Sequence, residues 1–172
     1  VSCRVGKGPS AREVDVCRSE DQGQKVGSIL IACFAGIQTG RLMKLGYTII
    51  YVPNVAESLL FFERAFGLSR RFLHESGDYG ELETGETTLA FASHDLGNMN
   101  FPSGFVASSE SSKPLGIEIA LVTPSVVDAH AKALAAGATE LKEPETKPWG
   151  QVVSYVRCPD GTLVEICSPV AG

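Results

Sequence analysis

The sequence predicts an α+β fold of two tandem βαβββ modules, and three observations carry that prediction. A strand–proline–helix layout occurs twice, each helix runs into a glycine, and each helix is followed by three short strand-like segments. YTIIYVPNVAES (Tyr47 to Ser58) and EIALVTPSVVDA (Glu118 to Ala129) share an alternating strand, a proline, a polar residue, a valine and then an acidic residue. Their register is constant at 71 positions (118 − 47, 124 − 53, 125 − 54), so coincidence between two generic units is a poor account of the match.

Each element has a local reason. In the opening strands, Thr48, Ile50 and Val52 alternate with Tyr47, Ile49 and Tyr51, as Ile119, Leu121 and Thr123 alternate with Glu118, Ala120 and Val122. The first set of each pair belongs under a helix and the second on the opposite face. Asn54 and Ser125 are placed to cap helices, with Glu57 and Asp128 three residues on, where a capping box puts its acidic member. The helical stripes read as Leu59, Phe62 and Phe66, and as Val127, Ala131 and Leu134; Gly67 and Gly137 fall where left-handed caps end helices. RRFLHES, YGELET and TTLAFAS then supply strands in the first module, and TELKEP, GQVVSYVR and TLVEICS supply them in the second. The expected organisation is a weakly structured extension over 1–42 and one domain over 43–172. Within the domain, module one spans about 44–96, a linker 97–114 and module two 115–170.

Composition narrows the class. With 172 residues, 44% of them hydrophobic, the chain can bury a full core. A net charge of −5 without a Lys/Arg cluster argues against a nucleic-acid surface. No run is long enough to span a bilayer. Five cysteines (Cys3, Cys17, Cys33, Cys158 and Cys167) form no CxxC pair, which fits a reducing cytoplasm. The apolar stretch Val26 to Gly36 contains a small-residue-plus-Cys pattern at Cys33, but Glu20 and Asp21 stand where a lipoprotein signal carries positive charge.

The segments MKLGYTIIYVPNVAESLLFFERAFGL, LGIEIALVTP and YVRCPDGTLVEICSP, the last with a Pro-Asp-Gly turn before a Glu-bearing strand, resemble the vicinal oxygen chelate superfamily. That superfamily comprises glyoxalase I, extradiol dioxygenases and bleomycin-resistance proteins, and the resemblance spans about Lys44 to Val170. It implies a curved, cup-like mixed sheet with the helices outside, and a homodimer. Metal-dependent members carry His, Glu, His and Glu at four inward positions, which fall here at Tyr47, Ala90, Glu118 and Glu165. Only Glu165 keeps the family's ligand type, so the resemblance implies no intact metal site; no cofactor is expected, and any divalent metal would be held weakly.

Two functional classes follow. The first is a small-molecule-binding protein of the glyoxalase/bleomycin-resistance type, with a ligand in the cup near Tyr47, Tyr51, His74, Glu118, Trp149, Tyr155 and Glu165. The alternative is a glyoxalase-like lyase or isomerase that uses a modified metal site, or Glu118 and Glu165 as a catalytic acid–base pair. His74, on the expected second strand, is the one histidine with a route into the cup. His94 reads as a loop residue and His130 as a helix-surface residue. Trp149 suits either a pocket wall or a dimer contact.

Overall fold

The structure, a computed structural model, describes residues 43–170. The expected extension over 1–42, with Cys3, Cys17, Cys33 and the stretch Val26 to Gly36, lies outside the described residues. The first module runs β1 (Tyr47–Val52), α1 (Val55–Phe66), β2 (Ser69–Leu73), β3 (Tyr79–Glu83) and β4 (Thr88–Ser93). After a short α2 (His94–Asn100), the second runs β5 (Ile119–Val122), α3 (Val126–Ala135), β6 (Thr139–Thr146), β7 (Val152–Arg157) and β8 (Leu163–Cys167). Each module forms a four-stranded sheet, and the orders β1-β4-β3-β2 and β5-β8-β7-β6 are the same. The first strand of each lies parallel to the last, an arrangement that needs a crossover, and the helix provides it. Among the described residues, no helix is long and apolar enough to cross a membrane.

One face of each sheet is covered by its helix. Val52, Phe91 and Leu82 of the first sheet meet Leu59 and Phe62 of α1, in the same cluster as Val156, Val164 and Ile166 of the second sheet. The first helix forms as its sequence predicts. Asn54 accepts a hydrogen bond from the Glu57 amide at 3.1 Å, and Gly67 closes the helix at φ +72°. The second departs in three ways. Ser125 bonds the Asp128 carboxylate at 2.6 Å instead of capping a backbone amide. Gly137, at φ +112°, follows a right-handed cap at Ala136.

The third departure is the buried stripe, which is Val126, His130 and Ala133, whereas Val127 and Ala131 are exposed. The Val126–Val127 pair made two stripes plausible, and His130 decides between them. Its ring is buried with Nε2 2.8 Å from Glu140 on β6, so the residue expected on the helix surface is a packed, partnered one. Another element, α2, takes up the end of the first module and the start of the expected linker. Ser93 caps it through the Leu96 amide at 3.1 Å, and His94 begins the helix instead of lying in a loop.

The modules are tied together by the turn Pro159-Asp160-Gly161 between β7 and β8. Asp160 is buried; its carboxylate accepts the Ser58 hydroxyl of α1 at 2.9 Å and the Thr162 amide at 3.0 Å. Gly161 adopts φ +87°, and a Cβ there would stand 2.2 Å from the Ser108 carbonyl oxygen. Arg157 donates to the carbonyls of Ser108 and Ser111 at 2.7 and 2.6 Å. Helix α1 and the inter-module segment are both seated on this one turn.

Two glycines with similar backbone angles should therefore respond differently. Gly67→Ala meets only the tip of Lys132 at 3.7 Å and should cost about 1 kcal/mol for its left-handed backbone. Gly161→Ala should cost at least ~3 kcal/mol, because backbone must also move. Asp160→Ala should cost ~2 kcal/mol by stranding the Ser58 hydroxyl. Urea unfolding of the three variants measures the ranking, and equal losses at Gly67 and Gly161 would contradict the close approach.

Candidate functional site

Alternation places the polar candidates on the face of each sheet opposite its crossover helix, which in the first module α2 covers at Tyr51. On the first sheet this face carries Tyr47, Ile49 and Tyr51 of β1; on the second it carries Glu118, just before β5, with Ala120 and Val122. Ile49 lies in register with Ala90, and Ala120 with Glu165. Ala90 and Glu165 thus hold equivalent positions, each on its module's last strand.

In the second module Glu165 is half-buried and accepts a hydrogen bond from the Tyr155 hydroxyl at 2.7 Å, across the β7–β8 register. The Tyr155 phenol is pushed up to about 12 from its ordinary 10.0, first by this bond to a carboxylate and then by burial. The negative charges of Glu165 and Glu118 both bear on Tyr155 and on Cys167, so these groups share one neighbourhood. Burial, aided by the bond to Glu165, pushes the Cys167 thiol up to about 11, which makes it an unreactive neighbour.

The first module carries a polar cluster on its open face that the sequence reading missed. Glu81 of β3 is buried; it accepts the Tyr79 hydroxyl at 3.0 Å and the Arg71 guanidinium at 3.1 Å. Arg71 also donates to the Thr88 hydroxyl at 3.1 Å and pairs with Glu83. A bulge in β2, where pairing shifts between Arg70 and Phe72, turns Arg71 onto this face while Arg70 pairs with Glu63 on α1. The Tyr79 phenol is pushed up to about 12, by burial first and then by its bond to Glu81. A signal was present in the sequence: in YGELE, Tyr79, Glu81 and Glu83 alternate with Gly80 and Leu82, so three polar side chains share the face opposite the helix.

The remaining candidates disperse. His74 lies beyond the end of β2, exposed, with Nδ1 2.9 Å from the Ser76 hydroxyl, so it belongs to a turn and not to the expected strand. Trp149 is an exposed turn residue that donates to Gln151 at 3.1 Å. Tyr51 is stacked among Phe101 and Phe105, with its hydroxyl accepting from Asn100. Gly97 of α2 permits that packing, since a Cβ there would stand 2.8 Å from the Tyr51 ring. Tyr51 and Glu118 line a cleft of about 270 Å³ along the edge of β1, with Ile49, Phe105, Ile117 and Leu163; Glu165 is not part of it.

The residues do not fit the family's metal site. Among the described residues, no three His, Cys, Asp or Glu side chains converge as a metal-holding group. Of the four ligand positions, Ala90 has no donor atom and is completely buried, Tyr47 offers a phenol, and Glu165 is already bonded to Tyr155.

The profile of the Glyoxalase/Bleomycin resistance protein/Dioxygenase superfamily matches residues 44–166. Among curated proteins, none matches the chain in sequence. Solved structures match in fold. A glyoxalase-related enzyme from Fulvimarina pelagi is 19% identical with a TM-score of 0.63, the match covering 74% of this chain and 89% of that one. A glyoxalase/bleomycin resistance protein/dioxygenase family enzyme from Burkholderia phytofirmans PsJN is 20% identical with a TM-score of 0.61, covering 75% and 100%. TioX from Micromonospora sp. ML1 is 16% identical with a TM-score of 0.55, covering 73% and 98%.

The two tyrosine–carboxylate bonds have a consequence at high pH. The folded chain keeps the protons of Tyr79 and Tyr155 where the unfolded chain releases them, so their contribution to stability is complete below 10.0 and lost as pH rises toward about 12. Ultraviolet titration should show phenols still protonated at about pH 11. Glu165→Gln should bring Tyr155 back toward its ordinary range; a titration curve indifferent to that substitution would count against the bond.

Proposed function

The chain belongs to the Glyoxalase/Bleomycin resistance protein/Dioxygenase superfamily, and from that premise we propose that it is a small-molecule-binding protein whose ligand is held on the open sheet faces without a family-type metal. The observation that carries this reading is the pairing of Glu165 with Tyr155 opposite a module in which position 90 is a buried alanine. A carboxylate engaged by a phenol presents a fixed acceptor to a hydrogen-bond-donating or cationic ligand. Apolar walls stand beside it in Ala120 and Val122, the latter 65% exposed, and in Ile49 on the other module, 44% exposed.

The same exposure supports a homodimer. Tyr47, Ile49, Val122 and Ile117 leave an apolar surface that a second copy would cover, so that the cup is completed between modules of different chains. The acid–base reading has its own observation, since Tyr155, Glu165 and Glu118 share one neighbourhood and Tyr155 retains its proton. It is the second reading, because the one nucleophile beside them among the described residues, the Cys167 thiol, is pushed up to about 11 and stays protonated.

Metal analysis of the untagged protein separates these readings. Binding without a metal predicts far less than one tightly held divalent ion per chain, no glyoxalase activity, and a fold that survives Glu165→Gln. Stoichiometric metal that disappears on Glu165→Ala would overturn this reading and favour the enzyme.

A further inference from the structure

From the cleft along β1 we infer a separate ligand site between the free edges of the two sheets, one that takes a small secondary amide with apolar substituents and no negative charge. This goes beyond the binding reading above and does not depend on it, since Glu165 is not among the residues that line the cleft.

Strand β1 ends one sheet and β5 ends the other, so one edge of each has no strand partner. The cleft is lined by consecutive residues of both, Thr48 to Tyr51 and Ile117 to Ile119. Successive side chains of a strand point to opposite faces, so a cavity that touches neighbours in sequence lies against the strand's edge. Along that edge, alternate residues turn both their N–H and their C=O outward. The Gly46 carbonyl accepts the Thr88 amide of β4, which turns Gly46, Thr48 and Ile50 toward β4 and leaves Ile49 and Tyr51 turned toward the cleft.

A buried hydroxyl supplies the independent sign of a ligand. Thr162, just before β8, lines the cleft and is only 6% exposed; its amide is held by Asp160 at 3.0 Å, but its Oγ1 has no hydrogen-bond partner among the described residues. A hydroxyl left unpaired at such a depth costs free energy that a polar group entering the cleft would recover.

The lining selects the chemistry. Phe105, Val106, Ile117 and Leu163 make apolar walls, with Val106 and Ile117 exposed. Glu118 is the one charged side chain in the lining, which disfavours anions. The edge of β1 offers N–H and C=O together, and the group that answers both is a secondary amide, as in a pair of strands. A volume of about 270 Å³ admits a molecule the size of a capped amino acid, and not a longer peptide. The walls are set in advance: Arg157 holds the Ser108 carbonyl at 2.7 Å, and Gly161 packs against it.

The test titrates N-acetyl-phenylalanine N-methylamide into the full chain by calorimetry, with a thermal midpoint recorded for each variant. Saturable binding is expected, and N-acetyl-phenylalanine, which carries a carboxylate in place of the second amide, should bind more weakly. Thr162→Val should weaken binding by about 10-fold without lowering the midpoint, because the hydroxyl has no protein partner to lose. Ile117→Ser, at an exposed position, should also weaken it, which keeps the test decisive if Thr162→Val lowers the midpoint. Glu165→Gln should leave the affinity unchanged. No binding to the unaltered chain, or an affinity indifferent to both Thr162→Val and Ile117→Ser, would overturn the site. If Glu165→Gln alone weakened binding, the amide would sit on the sheet face, so this site would fall and the binding reading above would stand.

Discussion

The geometry of the molecule depends on one buried carboxylate that takes no part in the candidate site. Asp160 joins Ser58 of the first module's helix to the turn that begins the second module's last strand, and the next residue, Gly161, is pressed against the backbone of the inter-module segment. A buried carboxylate is tolerated only with full hydrogen bonding, and here the partners come from two modules. The two sheets form no strand pairs with each other, so their mutual placement rests on the helices and on this turn. Glu165 lies four residues beyond Gly161 on β8, so the turn also fixes where the second module presents its carboxylate.

Duplication supplied two copies of one frame, and small departures between them made the faces chemically different. Both second strands of the modules carry a register shift near their start, between Arg70 and Phe72 and between Glu140 and Lys142. The residue before each shift is tethered to the module's own helix, Arg70 to Glu63 and Glu140 to His130. The residue released by the shift is Arg71 in one module and Leu141 in the other. The same backbone device therefore adds a guanidinium to one open face and an apolar side chain to the other, and only the guanidinium gives a buried glutamate such as Glu81 its counter-charge.

Much of this was legible in the residues, for identifiable reasons. Period-two alternation fixed the two faces of β1 and β5, and Asn54 and Gly67 bounded α1, because those signals are local. The stripe of α3 was not legible, since Val126 and Val127 give equal hydrophobic counts and the deciding contact, His130 with Glu140, lies across the sheet. The Arg71 cluster was hidden for a similar reason. A bulge reverses strand parity, and nothing in RRFL marks its position. Family positions, read as a template, direct attention to Ala90 and away from the strand beside it.

Carboxylates on a sheet face must be compensated, and in metal-dependent members of the fold the ion does much of that. With a donor set that lacks histidines, each carboxylate here has protein partners of its own: Arg71 and Tyr79 for Glu81, Tyr155 for Glu165, Arg71 for Glu83. Such partners fix direction without saturating the oxygens, because a carboxylate oxygen with one bond retains acceptor capacity. A metal would consume that capacity in coordination, whereas a phenol or guanidinium beside the carboxylate leaves it for a donor arriving from solvent. On the proposed reading, separate hydrogen-bonding partners in place of a shared ion suit holding a ligand more than polarising a substrate, within the same two βαβββ frames.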